Sequence, residues 1–296
     1  MRSMALGPRN ELERRALSEG SDSAGGVSVP DVTLARFIDK LRAQTVCIRA
    51  GAQTLPLTSD KVTIARTTTD PTVAWRAENA AVAESDPAFE GLVFVPRSLA
   101  VYFKVSRELL EDSVNIEQAL EASLIGALSV ELDRVALEGS GTAPEPKGII
   151  ASTGIGSVAV SAAITNWDKF IDGLYELWVD SAADPTGIVM HPRTLQTISK
   201  FKEGTTNAPL PKPPVLANVP IYRTTGLSIT LSPGTATTVV MGNFSELIIG
   251  IRTQLQIEIL RELFAGNLQV GFLAFLRADI GLAHPQSFVK LTGIVP

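Results

Sequence analysis

The sequence predicts an α+β fold, and three observations carry that expectation. Ile116, Leu120, Leu124, Leu128 and Leu132 recur every fourth residue, which gives a long helix one apolar stripe. Residues 165–204 then read as helix, short apolar strand, helix. Further on, IRTQLQIEIL sets Ile251, Thr253, Leu255, Ile257 and Ile259 on one face. Arg252, Gln254, Gln256 and Glu258 fall on the other, the alternation of a half-buried strand.

The elements follow in chain order. Residues 1–30 are polar, carry Arg2, Arg9, Arg14 and Arg15, and end in GSDSAGGVSVP, which suits an extended arm with no core of its own. Leu34, Phe37, Ile38 and Leu41 fall at helical intervals within Asp31 to Arg49, so a short amphipathic helix is expected there. KVTIARTTT and LVFVPRSLAVYFKVS read as strands. Between and around their facing ends runs TVAWRAENAAVAESDPAFEGLVF, residues 72–94, which is polar and alanine-rich but contains Trp75 and Phe89. Two strands are normally joined by a handful of residues, and a much longer connection is functional or loose.

Asn115 and Gln118 stand where the N-cap and third residue of a capping box belong, just ahead of the leucine stripe. Gly139, Ser140 and Gly141, followed by Pro144 and Pro146, stop that helix. From Ile116 to Glu138 it spans roughly 35 Å at the standard helical rise. In TNWDKFIDGLYELWVDS, Trp167, Phe170, Ile171, Leu174 and Trp178 are assigned to the buried side. GIVMHP is a short buried strand, RTLQTISKFKEG a second helix, and APLPKPPVLANVP a proline-rich loop. The succession makes a compact α+β lobe. QVGFLAFLRADIGLA closes the chain as a strand, followed by PQSFVKL.

Composition narrows the function. The 296 residues are 45% hydrophobic but only 6% aromatic, so the core relies on aliphatic side chains. The net charge of −5 does not supply the excess of Lys and Arg that a phosphate-tracking groove needs. The single cysteine, Cys47, rules out an intrachain disulfide and fits a small buried residue. No apolar run approaches membrane-spanning length, and the N-terminus lacks the apolar middle of a secretory signal.

No catalytic constellation emerges. His191 and His284 each precede a proline and have no nucleophile motif beside them. With one cysteine they fall short of a structural zinc set, so no metal or cofactor is expected. Gly154, Gly156 and Ala159 match the loose pattern G-x-G-x-x-A. The stretch that follows, VAVSAAITN, is β-branched and small, whereas a dinucleotide site needs a helix there. Glu117 and Glu121, four apart, read as the solvated face of the long helix.

The order of parts resembles the major capsid proteins of tailed double-stranded-DNA phages, the HK97-type fold. The resemblance is carried by GGVSVP, by ESDPAF (84–89), and by LEGSGTAPEPKGI after the long helix. It continues through GIVMHPRTL and VVMGNF to RADIGLAHPQSFVKL near the end. It implies an N-arm at 1–30, the first part of a peripheral (P) domain at 31–51, and a β-hairpin E-loop at 52–103. A long spine helix in the P-domain then follows at 104–150, an axial (A) domain at 151–255, and a P-domain return strand and C-terminus at 256–296.

The resemblance implies a subunit that self-assembles into hexamers and pentamers of an icosahedral shell, made in the host cytoplasm and enclosing double-stranded DNA by weak contact. Portal, scaffolding and decoration proteins are its implied partners. Intersubunit contacts are expected at the E-loop tip (Trp75, Arg76, Glu78, Glu84, Asp86, Phe89) and along the N-arm (Arg9, Arg14, Arg15).

Some relatives link neighbouring subunits through a lysine–asparagine isopeptide bond assisted by a glutamate. Registered on this chain, the lysine position is Val82 and the glutamate position falls near Phe275, while Asn267 stands near the asparagine. Crosslinking is therefore expected to be absent. Many relatives also carry a scaffolding segment ahead of the arm. Met1 here lies a few residues before arm-like sequence, which leaves a separate scaffold or a mature form. An encapsulin-type compartment shares the fold, but the arm at 1–30 favours a phage capsid, and for an enzyme no residues present themselves.

Overall fold

A computed structural model of the chain describes residues 41, 45–69, 71–73, 75–76, 85–112, 116–204, 206–231, 234–252 and 256–295. The expected arm (1–30), most of the helix expected after it, and the capping residue Asn115 lie outside the described residues. The long helix forms as the leucine stripe requires, Ile116–Glu138. The elements before it are α1 (Val46–Arg49), β1 (Gln53–Leu57), β2 (Val62–Thr69), β3 (Ala88–Phe94), β4 (Arg97–Ser106) and α2 (Arg107–Asp112); the long helix is α3. After it come β5 (Gly156–Ala159), α4 (Asp168–Val179), β6 (Gly187–Met190), α5 (Pro192–Ser199), β7 (Ile221–Arg223) and β8 (Thr237–Gly242). The chain ends with β9 (Leu247–Arg252), β10 (Gln256–Leu260), β11 (Gln269–Leu282) and β12 (Phe288–Ile294).

β11 is the middle of the first sheet. It runs antiparallel to β4 from Gln269↔Ser106 to Ala278↔Arg97, and Phe272 stacks on Phe103 directly opposite at 5.3 Å. The strand expected across 251–260 is two strands. The pairing of β9 with β11 ends at Ile251 opposite Ala278, and that of β10 begins at Gln256 opposite Phe275. Ala278 and Phe275 also pair with β4, so β9 and β10 lie on the same flank of β11. Five steps on one side stand against three on the other, so the two pairings do not share one register. The alternating face breaks with it: Ile251 is buried, whereas Ile259 is 37% exposed.

α3 lays Leu124, Leu128 and Leu132 in one core with Ile249, Ala274 and Leu276 of this sheet. Its last turns are enclosed more widely, with Val135, Ala136 and Leu137 all buried. Burying these side chains supplies the main drive for the helix, at about 25 cal/mol per Å² of apolar surface.

The lobe holds the second sheet, ordered β5-β12-β8-β6-β7. β6 and β8 are buried along their whole length, the continuous apolar pattern of strands covered on both faces. β12, expected with the long-helix domain, pairs instead with β5 and β8. Pro285 ends the run of β11 through a short 3-10 turn, and the chain re-enters beside β8. The approach there is tight: a Cβ on Gly242 would lie 2.3 Å from the Ser287 carbonyl. β9, expected in the lobe, belongs to the first sheet.

α4 covers the β5–β12 side through Phe170, Leu174 and Leu177. Gly173 lets it sit close, since a Cβ there would lie 2.8 Å from Met241 Cε. Of the five side chains assigned to its buried face, Trp167, Phe170 and Leu174 are buried. Ile171 (38% exposed) and Trp178 (47% exposed) are not. The buried arc runs through Gly173 and Leu177, and the apolar residues on the next flank face solvent.

Candidate assembly surfaces

β2 and β3 form a separate two-stranded hairpin, paired from Val62↔Phe94 to Thr67↔Phe89, with an irregularity before Thr69↔Ala88. Of the strands expected to flank the long connection, only this pair leaves the main sheets. β1 and β4, expected inside the same unit, are bound into the first sheet at Gln53↔Ile248 and Arg97↔Ala278. Pro96 separates β3 from β4, where one continuous strand was expected.

The root of the hairpin is fixed from several directions. Phe94 is fully buried and wedges against two glycines: a Cβ on Gly281 would meet its Cζ at 2.7 Å, and one on Gly250 its Cδ1 at 3.3 Å. Asp279 accepts the Val95 N–H at 2.6 Å, and burial pushes its carboxyl upward against the hydrogen bonds that hold it down. Arg66 pairs with Glu90 at 2.6 Å and donates to the Leu282 carbonyl at 3.1 Å. Asp60 pairs with Arg252 and, at 3.2 Å, with Arg277, and the hydrogen bond from Arg252 lowers its pKa.

Away from the root, exposure rises. Trp75 and Val73 are fully open to solvent, Phe89 is 68% exposed, and Asp86 and Arg76 are exposed beside them. The N–H of Thr72 donates to Ser85 Oγ at 2.8 Å, joining the two described sides of the connection. Glu78, Val82 and Glu84, like Arg9, Arg14 and Arg15 of the arm, lie outside the described residues. Phe275 is half-buried in β11 between Ala100 and Gln256, and Asn267 is exposed in the turn before β11.

The stretch after α3 is braced by a charge cluster that sequence reasoning missed. Arg134 Nη2 bonds Glu131 Oε1 at 2.7 Å and reaches Glu145, while Glu145 accepts the Ser140 N–H at 3.0 Å. That backbone donor, with Arg134, holds the Glu145 carboxyl down at about 2. The spacing of Glu131 and Arg134 on one helix face could have signalled the first pair; Glu145 is brought in only by the turn.

The other candidates take structural positions. Cys47 is fully buried. His191 is the N-cap of α5, its Nδ1 accepting the Arg193 N–H at 3.1 Å, and burial together with Arg193 lowers its pKa. His284 is half exposed, 4.0 Å from Glu246. Gly156 and Ala159 are the two ends of β5, and no helix opens after it before α4. Glu121 lies part-buried on α3. Among the described residues no three His, Cys, Asp or Glu side chains gather as a metal site, and no helix is long and apolar enough to cross a membrane.

Comparison with known proteins agrees with this architecture. The profile of the Phage capsid family matches residues 25–293. The major capsid protein of Klebsiella oxytoca phage phiKO2 is 23% identical over 97% of this chain and 73% of its own length. The major capsid protein of Halomonas phage phiHAP-1 is 24% identical over 53% of this chain and 26% of its own. Among solved structures, the capsid of an empty GTA particle superposes with a TM-score of 0.69 at 21% identity, covering 84% of this chain and 90% of that one. A chain of Mycobacterium phage Ogopogo superposes with a TM-score of 0.65 at 17% identity, covering 84% and 92%. The encapsulin-type alternative is not favoured by these likenesses. The fold is the HK97 type expected from the sequence, and the chain belongs to the phage capsid family as a shell-forming structural subunit.

Proposed function

We propose that this chain is the major capsid protein of a tailed double-stranded-DNA phage or a related particle, with copies grouped as hexamers and pentamers of an icosahedral shell. The observation that supports this best is the hairpin. A hairpin anchored at the buried Phe94 leaves Trp75 and Phe89 exposed to water. Large apolar side chains held in water on a projecting hairpin suit a contact with another molecule, and a closed shell of identical subunits gives every hairpin a neighbour.

Trp75 and Phe89 would seat on that neighbour, with Arg76, Glu78, Glu84 and Asp86 pairing around them. The arm's Arg9, Arg14 and Arg15 would reach carboxylates of adjoining subunits. With Val82 at the lysine position and Phe275 near the glutamate position, the shell would be held by noncovalent contacts, which a decoration protein would supplement. Scaffolding and portal proteins would guide closure in the host cytoplasm. A wall of net charge −5 would touch packaged DNA only weakly.

Electron microscopy of the purified chain tests the reading. Closed shells are expected, and those taken from virions should be filled with DNA. Protein dispersed as monomers at assembly concentrations, or shells filled with protein cargo, would refute it. For the arm, replacing Arg9, Arg14 and Arg15 with alanine should weaken the shells, and unchanged shell stability would reject the arm's role.

A further inference from the structure

The lobe carries two surfaces of opposite charge that the fold uses only in part: Trp178 donates to Asp184 at 3.3 Å, Arg193 to the Ile229 and Thr235 carbonyls, and Lys212 to that of Val219. On α4, the side chains left outside the core form a ridge of Ile171, Tyr175, Trp178 and Val179, with Tyr175 61% and Val179 58% exposed. Beside this ridge, Asp168, Asp172, Glu176, Asp180 and Asp184 recur every fourth residue, all of them exposed. Residues 168–184 contain these five acids against Lys169 alone, a net −4. Lys169 is already paired with Asp172 at 2.9 Å.

The 192–223 segment has the opposite charge. Residues 192–223 contain Arg193, Lys200, Lys202, Lys212 and Arg223 against Glu203 alone, a net +4. α4 lies over β5 and β12, while 192–223 leads from β6 to the edge strand β7; the two share one core and meet where Trp167 packs edge-on against Phe201 at 5.6 Å. The basic segment also contains PLPKPPV, in which Pro213 leads into a 3-10 turn over Pro214–Leu216 that leaves Val215 54% exposed. A proline-rich turn of fixed shape packs on exposed aromatic rings at little entropic cost, because its backbone is already ordered.

We propose that the aromatic ridge and acidic row of α4 receive the proline-rich, basic 192–223 segment of a second copy of this chain. The proposal rests on the reading that the chain assembles with itself, and it names the surfaces that meet within a capsomer. Tyr175 and Trp178 form the apolar centre against Pro211, Pro213 and Val215, while the acids and lysines form the rim. The two surfaces differ, so the contact is heterologous and propagates around a ring.

The test reverses charge on exposed positions of the full chain. Asp172→Lys with Glu176→Lys should lower the yield of capsomers about tenfold or more at low salt, since like charges then face each other. Adding Lys200→Glu and Lys202→Glu to the same chain should restore it. Circular dichroism and melting of each variant should match the parent. Assembly of the acid-reversed chain at the parental level, or a fourfold variant no better than the double, would overturn the contact. Capsomers that show this loss and rescue without closing into shells would refute the shell reading and keep the contact. Shells indifferent to the reversals would do the opposite.

Discussion

The Asp133 carboxylate accepts the backbone N–H of Cys47 at 2.9 Å through Oδ1 and that of Val46 at 2.8 Å through Oδ2. One buried acid on the long helix α3 thus caps the short helix α1, whose own N-cap residue Thr45 makes no side-chain cap. The first turn of a helix leaves N–H groups without internal partners, and here that of Cys47 is buried and that of Val46 partly so. The same contact places Cys47 in the core and aligns the chain for entry into β1. Arg49, in the last turn of α1, adds a favourable charge for the carboxylate.

Asp133→Ala leaves those two N–H groups unpaired, the one on Cys47 in the core. It should destabilise the subunit by about 2–4 kcal/mol in urea unfolding. Loss under about 0.5 kcal/mol, the range of an ordinary surface change, would show that the cap is dispensable. Burial also raises the Asp133 pKa, so the folded state holds its proton more tightly than the unfolded chain. This contribution to stability is therefore fully present at low pH and declines as pH rises from the ordinary aspartate range through the raised value. Asp133→Asn should remove that slope.

Glu145 works in the opposite direction. Its folded pKa is lowered to about 2 from 4.5, so its stabilisation is present above 4.5 and lost as pH falls towards about 2. The melting temperature of Glu145→Gln should fall less steeply than the parent's across that window. Parallel curves would remove Glu145 from the acid response.

At the hairpin root, Gly281→Val should force Phe94 from its seat, because even a Cβ would lie 2.7 Å from the ring. Phe94→Ala should cost about 3–5 kcal/mol if the subunit unfolds as one unit. In both variants, limited proteolysis between residues 72 and 94 should quicken. Unchanged cleavage would mean that the hairpin is held by its polar contacts alone.

At the tip, Trp75→Ala and Phe89→Ala should leave subunit melting within a degree or so of the parent, as surface substitutions usually do. Assembly should nonetheless fall sharply, read as the fraction of protein sedimenting as particles. Parental assembly by the double variant would remove both side chains from the contact. Particles boiled in detergent should run as monomer on a gel, and a ladder of covalent oligomers would contradict a noncovalent shell.

The helices and the buried strands were legible because their signals are local. The stripe from Ile116 to Leu132 and the apolar runs GIVM and TVVMG define their own period and burial. Ile171 and Trp178 were misplaced for a related reason. A helix with a second apolar flank reads as a wider core face until its neighbours are known, and here that flank faces solvent.

β12 escaped because FVKLTGI follows a proline turn and its partner strands are fixed only by the fold. The interruption between β9 and β10 leaves no trace in a pattern that alternates cleanly across it. Asp133 was invisible as a cap because Val46 lies 87 residues away. Arg134 and Glu145 likewise meet only when the turn after α3 closes.

A residue-level reconstruction of assembled particles by electron cryomicroscopy tests the central claim most directly. The account predicts a closed shell in which Trp75 and Phe89 of each subunit are buried against a neighbouring subunit. Shells in which both side chains stay in solvent, with the hairpin touching only its own subunit, would contradict it.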